Sequence, residues 1–229
     1  MKYTMSRRQS KNFTLQYVDK PIYIFCGGEK TEPNYFKSFR NCIQTNATYR
    51  NAVRIEIIPE PTDPKNIFRA AEAFVVDRKI ERGDIWCVFD KDEFTAQDFN
   101  NTIKRAEDKN KDSSSQVKYY VAWSNECFEL WFLLHFCYYT ADNGRADYID
   151  KLNGHLLKNG KGRYSKSSED MFNLLLDIGD PMAAIANAKK LMSVHAGKTP
   201  ADSVPCTNVH SLVESLAKYL PENIKEKLK

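Results

Sequence analysis

The sequence lacks the features that mark membrane, secreted and zinc-binding proteins. No apolar run approaches the roughly 20 residues that a membrane-spanning helix needs. The first residues, MKYTMSRRQSKNF, have no apolar centre of a secretory signal. The six cysteines form no CxxC pair and mostly lie in apolar segments, which is typical of buried free thiols. We therefore expect a cytoplasmic protein without a structural zinc ion.

A nucleotide-binding P-loop and a strong net charge are also missing. The pattern GxxxxGK[ST] is absent, and Lys30 follows only the Gly27–Gly28 pair. The 229 residues include 34 basic and 30 acidic side chains, which gives a net charge of +4. Such a surface permits an anionic partner such as nucleic acid without requiring one. The length suits one large domain or a domain with an appended helical part.

Apolar patterns in the first half of the chain predict alternating strands and helices. Short apolar runs predict strands at residues 22–25, 53–58, 85–89 and 117–123. Helical spacing of apolar residues predicts intervening helices at residues 33–43, 67–75 and 96–107. This alternation predicts an α/β fold with a mostly parallel sheet flanked by helices.

The remaining segments of the chain differ from this pattern. Residues 1–19 are polar, basic and without periodicity, which predicts a flexible basic arm. We assign residues 20–140 to the α/β domain. Residues 141–229 show helical patterns without another convincing strand, and we expect this helical C-terminal part to pack on the sheet.

Two carboxylates at the end of the third predicted strand form the clearest candidate site. In IWCVFDKDEF, residues 85–94, apolar residues lead to Asp90, and Asp92 follows two positions later. In an extended backbone both carboxylates point to the same side at the carboxyl end of the sheet. Mg²⁺ suits such a pair, because it binds through one or two carboxylates and keeps several waters. A solvated turn with Asp90 capping the next helix is the alternative.

The turn after the first predicted strand brings more acidic residues to this edge. In IFCGGEKTEPNYF, residues 24–36, two glycines allow a tight turn, and Glu29 and Glu32 follow. Thr31 is a candidate cap for a helix with Pro33 in its first turn. Acidic residues also favour a helix start by themselves, which explains Glu32 better than Glu29.

Glu129 is a charged residue within an apolar helix predicted in SNECFELWFLLHF, residues 124–136. Burial of an unpaired carboxylate is costly. Glu129 is therefore either exposed between its apolar neighbours or held against a metal or a base, and we favour the second interpretation.

Basic residues gather in KNGKGRYSKSS, residues 158–168. Their charges suit a phosphate backbone, although a solvated loop between helices explains them equally well. Lys166 is the best candidate for a cation that stabilises charge in a transition state. The candidate nucleic-acid contacts are Lys30, Lys91, Lys161, Arg163 and Lys166.

Four blocks of the sequence resemble the RloB-like family, a bacterial family of restriction and anti-phage loci related to the TOPRIM nucleases. The blocks are IFCGGEKTEPNYF, WCVFDKDEF, SNECFELWFLLHF and CTNVHSLVESL, in this order across residues 20–218. The resemblance implies a TOPRIM-like sheet that binds Mg²⁺ or Mn²⁺ and acts on phosphodiester bonds. It further implies an ABC-type or AAA-type ATPase partner encoded nearby. RNA, with tRNA suggested by related toxins, is favoured over DNA as substrate, and a homodimer is one expected assembly.

The resemblance and the reasoning from the residues together give each candidate residue a role. Asp90 and Asp92 correspond to the family's DxD motif and would hold the metal, and Glu129 would complete or orient its ligands. Glu29 or Glu32 would assist catalysis. Lys166 would stabilise charge on the phosphate.

Gly27 departs from the family pattern. The usual sequence after the first strand is C-E-G-E-K-T-E, and Gly27 stands where its first glutamate belongs. Three explanations are open: a natural inactive or regulatory variant, transfer of the role to Glu29 or Glu32, or an inactivating change of one codon in a toxic enzyme. The third agrees best with the otherwise intact set of residues.

The leading expectation is therefore a metal-dependent nuclease subunit of a bacterial defence system, with catalysis weakened or lost because of Gly27. One alternative is a non-catalytic module that binds nucleic acid or the ATPase. The other is a phosphatase or phosphotransferase, because a DxD motif at a strand end also suits phosphoryl transfer.

Overall fold

The computed structural model describes residues 20–50, 52–92 and 94–228, so the predicted basic arm at residues 1–19 lies outside the described residues. Its strands are β1 (Ile22–Cys26), β2 (Ile55–Pro59), β3 (Arg82–Asp90), β4 (Gln116–Asn125) and β5 (Cys206–Thr207). Its α-helices are α1 (Thr31–Gln44), α2 (Pro64–Asp77), α3 (Ala96–Lys109), α4 (Glu129–Leu133), α5 (Gly144–Lys158), α6 (Met171–Ile178), α7 (Pro181–Val194), α8 (Val209–Ala217) and α9 (Glu222–Lys225).

The strands form one sheet in the order β2-β1-β3-β4-β5. The first four run parallel, and β5 pairs with β4 in the antiparallel direction. β3 is central, and every residue from Ile85 to Phe89 is buried, as expected for a strand covered on both faces. The prediction of an α/β fold with a mostly parallel sheet flanked by helices is confirmed.

Aromatic side chains attach α2 and α3 to the sheet. Phe74 of α2 makes edge-to-face contacts with Tyr23 and Phe25 of β1. Phe99 of α3 does the same with Phe89 of β3. α2 and α3 also pack against one another, while α1 packs against α6. These layers fix the positions at which β1 and β3 end, which is where the candidate residues lie.

The C-terminal part contributes a strand that the sequence pattern did not reveal. The prediction of no further strand beyond Ser124 is wrong, because Cys206–Thr207 pairs with the end of β4. Two residues are too few to show alternation. Asn208 extends this attachment, since its side chain accepts from Trp123 N at 2.6 Å and donates to Val121 O at 3.1 Å. The division at residue 140 stays a prediction.

Two further properties concern membranes and cysteine chemistry. Across the described ranges, no helix combines the length and the apolar character needed to cross a membrane. The cysteines are free thiols; Cys137 is partly exposed, and the buried ones are Cys26, Cys42, Cys87, Cys127 and Cys206.

Candidate metal and nucleic-acid site

A cleft of about 450 Å³ opens where β1 and β3 end, and we call it the acidic cleft. The predicted site residues that line it are Gly27, Glu29, Lys30, Glu32, Asp90, Asp92, Glu129 and Lys166. The other lining residues are Gly28, Thr31, Thr62, Phe89, Phe94 and Arg145. The carboxyl ends of parallel strands meet at one edge of a sheet, so segments far apart in sequence converge here.

Glu32 is the buried acid of the turn after β1. Its side chain is only 5% exposed, whereas Glu29 lines the same cleft but is exposed. Gly28 makes room for the carboxylate of Glu32, because a Cβ at position 28 would lie 2.2 Å from its Oε2. A preference for acids at helix starts does not by itself explain a carboxylate buried beside other carboxylates.

Thr31 does not cap α1, so that prediction is wrong. The cap position belongs to Lys30, and no side chain there accepts a hydrogen bond from the helix. Thr31 is the first helical residue, and its hydroxyl lies 3.3 Å from the hydroxyl of Tyr164. The start of α1 is therefore tied to the loop that carries Tyr164.

Asp90 and Asp92 converge, although not through an extended backbone. β3 ends at Asp90, and Asp92 lies in a turn with φ of +38°, so the extended geometry assumed from the sequence is wrong. The backbone N–H of Asp92 donates to Glu126 O at 3.1 Å, which holds this turn against the segment after β4. Nη2 of Arg145 forms an ion pair with each carboxylate: it lies 3.7 Å from Oδ2 of Asp90 and in direct contact with Oδ1 of Asp92.

Arg145 is the charged residue of the acidic cleft that the sequence did not predict. It lies in the first turn of α5, where acidic residues are normally favoured, and that mismatch was the available signal. Its backbone N–H donates to Oε2 of Glu126 at 3.2 Å. Gly144 precedes it with φ of +76°, a conformation that favours glycine. The turn at Gly144 thus delivers the guanidinium to the acidic cleft.

Glu129 is 2% exposed, so the exposed alternative is excluded. The hydroxyl of Tyr164 donates to its Oε1 at 2.9 Å. α4 is anchored by Trp131, whose indole N–H donates to the hydroxyl of Tyr35 at 3.0 Å. Only five residues of the predicted apolar helix are α-helical, which is shorter than its pattern suggested. Packing of the apolar residues holds Glu129 in the cleft.

Burial and mutual repulsion raise the pKa values of the clustered acids. Burial, followed by the Glu129 and Asp92 carboxylates, raises the pKa of Glu32 to about 7. Burial and then Glu32 raise the pKa of Asp90 well above its ordinary value. Burial also raises the pKa of Asp92, and the neighbouring Arg145 only partly opposes this shift. The cluster therefore favours binding of protons or other cations.

The chemistry of this cluster suits a hard divalent cation, since its donors are carboxylate oxygens. Oδ1 of Asp90 is buried and has no hydrogen-bond partner among the described residues, which leaves a free acceptor in the cleft. Within the same described ranges, no group of three or more His, Cys, Asp or Glu side chains is arranged to hold a metal ion. Arg145 is the cation that contacts Asp90 and Asp92 in this structure.

Only some of the residues predicted to contact nucleic acid lie at the acidic cleft. Those that line the acidic cleft are Lys30 and Lys166, both exposed. Lys161 pairs with Asp177 at 2.9 Å outside the cleft. The ammonium group of Lys91 donates to backbone oxygens of its own turn. Arg163 is exposed and lies outside the cleft lining.

Gly27 is not required by the backbone. It lacks a positive φ, and its N–H donates to Val88 O at 2.8 Å. A Cβ at this position would meet Phe89 Cβ at 3.4 Å and Thr62 O at 3.6 Å, which are tight to ordinary contacts. The fold therefore accepts a Cβ at position 27, which belongs to the lining of the acidic cleft.

Comparisons with known proteins address the family of the chain. A search of curated proteins and a search of solved structures each found no match. The family model described as RloB-like protein matches residues 22–216. This range contains the Asp90–Asp92 pair and all the other residues that line the acidic cleft. The chain belongs to the RloB-like protein family.

Proposed function

We propose that this protein is a TOPRIM-like, metal-dependent nuclease subunit of a bacterial anti-phage defence system. The supporting observation is the acidic cleft itself, where Glu32, Asp90, Asp92 and Glu129 converge beneath the exposed Lys30 and Lys166. Buried acids beside exposed lysines suit a phosphodiester, whose charge must be held while a bond to phosphorus breaks.

The acids would hold the metal, and the lysines would hold the substrate. Asp90 and Asp92 are the ligands we assign to Mg²⁺ or Mn²⁺, which binds through one or two carboxylates and several waters, and Glu129 would complete or orient this shell. The ion, when bound, would supply charge stabilisation at phosphate oxygens. Lys166 would neutralise charge on the scissile phosphate, and Lys30 would contact a neighbouring phosphate. Both lysines line the cleft with exposed side chains, so a nucleic-acid backbone can reach them without rearrangement of the core.

Glu32 is the residue we propose to accept the proton of the attacking water in this chain. The family pattern places a glutamate at position 27, and glycine has no side chain that could take this role. Glu32 is the buried carboxylate at the start of α1, whereas Glu29, in the turn before this helix, is exposed to solvent. We expect this substitute to be weaker than the family's glutamate, because it reaches the cleft from α1 rather than from the end of β1.

The decisive experiment restores the missing glutamate. Total tRNA, mixed RNA and plasmid DNA are incubated with Mg²⁺ or Mn²⁺ and with the chain as it stands, with Gly27→Glu, or with Gly27→Glu plus Asp90→Ala. We expect Gly27→Glu to cleave RNA in preference to DNA, and the added Asp90→Ala to abolish cleavage. The space around a Cβ at position 27 supports the choice of this variant.

A matched lysine pair tests the substrate side of the proposal. In the Gly27→Glu background, Lys166→Gln removes a cleft cation, and Lys161→Gln removes one that pairs with Asp177 elsewhere. Only the first should lower the cleavage rate. Equal loss from both variants, or no cleavage by any form in the presence of the ATPase encoded nearby, would contradict the proposal.

A non-catalytic binding module is the second candidate. It is favoured by the ion pairs of Arg145 with Asp90 and Asp92, which occupy the acids that a metal would need. Such a module would bind RNA or its ATPase equally well after Asp90→Ala. We further propose that the ATPase is the partner that activates cleavage in the cell, in keeping with the loci in which RloB-like proteins are found.

A further inference from the structure

Arg145 links α5 to the two acids at the end of β3. Its Nη2 atom serves both carboxylates: it contacts Oδ1 of Asp92 directly and lies 3.7 Å from Oδ2 of Asp90. The backbone of Arg145 is held separately, by the hydrogen bond from its N–H to Glu126. The guanidinium can therefore change partners while the start of α5 stays in place.

The pairing leaves hydrogen-bonding capacity unused on both sides. Arginine and carboxylate usually form two parallel hydrogen bonds. Here one nitrogen is shared between two acids, and 3.7 Å is too long for a hydrogen bond to Asp90. Oδ1 of Asp90 and Nε of Arg145 are both buried without a hydrogen-bond partner in the described parts of the chain. Arg145 thus compensates the acids incompletely.

Carboxyl groups outnumber basic groups in the lining of the acidic cleft, even with Arg145 counted. Its lining contains five carboxylate side chains, namely Glu29, Glu32, Asp90, Asp92 and Glu129. The cationic side chains of the lining are three, namely Lys30, Arg145 and Lys166. A divalent cation would balance this difference. A divalent cation at Asp90 and Asp92 would compete with the guanidinium for these carboxylates, because like charges at short range repel.

We propose that Arg145 is an exchangeable counter-ion that becomes a phosphate ligand. In the metal-free protein it neutralises Asp90 and Asp92. Once these carboxylates hold a divalent cation, Arg145 leaves them and binds the substrate phosphate, whose oxygens match its planar donors as well as a carboxylate does. The side chain is 32% exposed, so it can swing toward the cleft without unpacking the core. This inference rests on the proposed function and names how the same site is regulated.

The first test measures divalent binding, without any activity. Mg²⁺ binding is followed by calorimetry, and Mn²⁺ binding by electron paramagnetic resonance, for the full chain and for Arg145→Gln and Arg145→Lys. We expect Arg145→Gln to bind both ions about twofold to fivefold more tightly, the range that one partly exposed ion pair supplies. Arg145→Lys keeps the competing charge and should stay close to the unaltered chain.

Arg105→Gln is the matched control for removal of a positive charge. Arg105 also contributes Nη2 to an ion pair, at 2.5 Å from Glu72, but lies outside the acidic cleft. Its loss should leave divalent affinity unchanged. Equal affinity in Arg145→Gln and the unaltered chain, or weaker affinity in Arg145→Gln, would overturn the proposal.

The second test measures binding of a short fluorescein-labelled single-stranded RNA by anisotropy, in Mg²⁺ and in EDTA. In Mg²⁺ we expect Arg145→Gln to bind the RNA several-fold more weakly, although it binds the ion more tightly. In EDTA the difference should shrink, because Arg145 is then engaged with Asp90 and Asp92. A purely structural role would instead weaken both ligands together and lower Tm. Tighter ion binding with unchanged RNA binding would overturn the phosphate-ligand half of the proposal.

A measurement on the unaltered chain removes any dependence on how the variants fold. The Arg145 side-chain N–H signal, assigned by its absence in Arg145→Lys, is followed by NMR during a Mg²⁺ titration. We expect it to shift and sharpen as the guanidinium leaves the acids, and an unmoved signal at saturating Mg²⁺ would overturn the exchange. If Mg²⁺ releases the Arg145 guanidinium from the acids but Gly27→Glu cleaves no nucleic acid, only the proposed nuclease activity is refuted. If Gly27→Glu cleaves nucleic acid but Mg²⁺ does not release the guanidinium, only this inference is refuted.

Discussion

Two ion-pair clusters of opposite balance lie on this protein. On the helical face, the single acid Glu72 of α2 receives Arg105 at 2.5 Å and Lys109 at 2.9 Å, both from α3. At the carboxyl edge of the sheet, the single base Arg145 faces the two acids Asp90 and Asp92. The first cluster has a surplus of cations and the second a surplus of anions.

The two clusters differ in the exposure of their side chains and in how completely their polar atoms are hydrogen-bonded. The bases around Glu72 are about half exposed, so they satisfy the acid and remain hydrated, and the pairs join two neighbouring helices. Asp90 and Asp92, the acids around Arg145, are more buried than the bases around Glu72. Oδ1 of Asp90 has no hydrogen-bond partner among the described residues. Repelling acids kept together do not stabilise a fold, so we expect the second cluster to receive a ligand.

The pH dependence of stability should separate the clusters most strongly. The pKa of Glu32 is raised to about 7 from an ordinary 4.5, so between these values the folded state binds more protons than the unfolded state. Stability therefore falls as pH rises through this window. Relative to Glu32→Gln, we expect the unaltered chain to lose as much as about 3 kcal/mol between pH 4.5 and pH 8.

Urea denaturation of both proteins at several pH values measures this difference. His135, whose pKa burial lowers to about 4, has the opposite pH dependence, but it is present in both proteins and cancels. Added Mg²⁺ should narrow the gap at pH 8. Parallel stability curves for the two proteins would show that the cluster carries no such repulsion.

Asp90→Asn should stabilise the protein while removing its response to metal. Burial, followed by repulsion from Glu32, raises the pKa of Asp90, and loss of the carboxylate removes both penalties. We expect a gain of about 1 to 2 kcal/mol at pH 8. The rise in Tm on addition of Mg²⁺ should disappear, because the ion then has no tight site in the folded state. A loss of stability in Asp90→Asn would mean that Arg145 pairs with Asp90 more strongly than its distance indicates.

Gly28→Ala tests whether the position of Glu32 matters for binding rather than for folding. The added methyl group would lie 2.2 Å from Oε2 of Glu32, so the carboxylate must move. We expect Mn²⁺ affinity to fall several-fold, with a stability change below about 1 kcal/mol, because the displaced atoms end a flexible side chain. Gly154→Ala in α5 is the control: nothing lies within 4 Å of its Cβ, and it should stabilise by about 0.5 to 1 kcal/mol without affecting the ion.

Glu72→Gln should have the smallest effect and the opposite sign to Asp90→Asn. It removes the shared acid of a partly exposed cluster, so we expect a loss of at most about 1 kcal/mol, smaller at high salt. Calorimetric titration should show unchanged Mg²⁺ binding. A larger loss, or altered ion binding, would erase the contrast between the two clusters.

Local patterns predicted most of the fold. The buried run that ends at Asp90 and the helical spacing after each strand identify four strands and three crossover helices, because apolar burial dictates both periods. The parallel order that this alternation implies also places Glu32 and Asp90 at one edge. β5 was missed because its two residues pair with β4 without any repeating pattern.

The basic residues show the limit of prediction within the site. Lys161 and Lys166 are equivalent in sequence, yet one pairs with Asp177 and the other lines the acidic cleft. Tyr164 reaches Glu129 from a position 35 residues away, and Arg145 reaches Asp92 across 53 residues. No periodicity links such positions, because their contacts depend on where α5 and its following loop pack.

The sequence alone determined the α/β class, the order of strands and helices, and the presence of acids where β1 and β3 end, since these follow from local burial and the geometry of parallel strands. Only the tertiary structure decided that Glu32 rather than Glu29 is buried and that Arg145 is the counter-ion of Asp90 and Asp92. These outcomes depend on which distant side chains share a desolvated space, because charge is costly to bury unless a partner, from any part of the chain, meets it there.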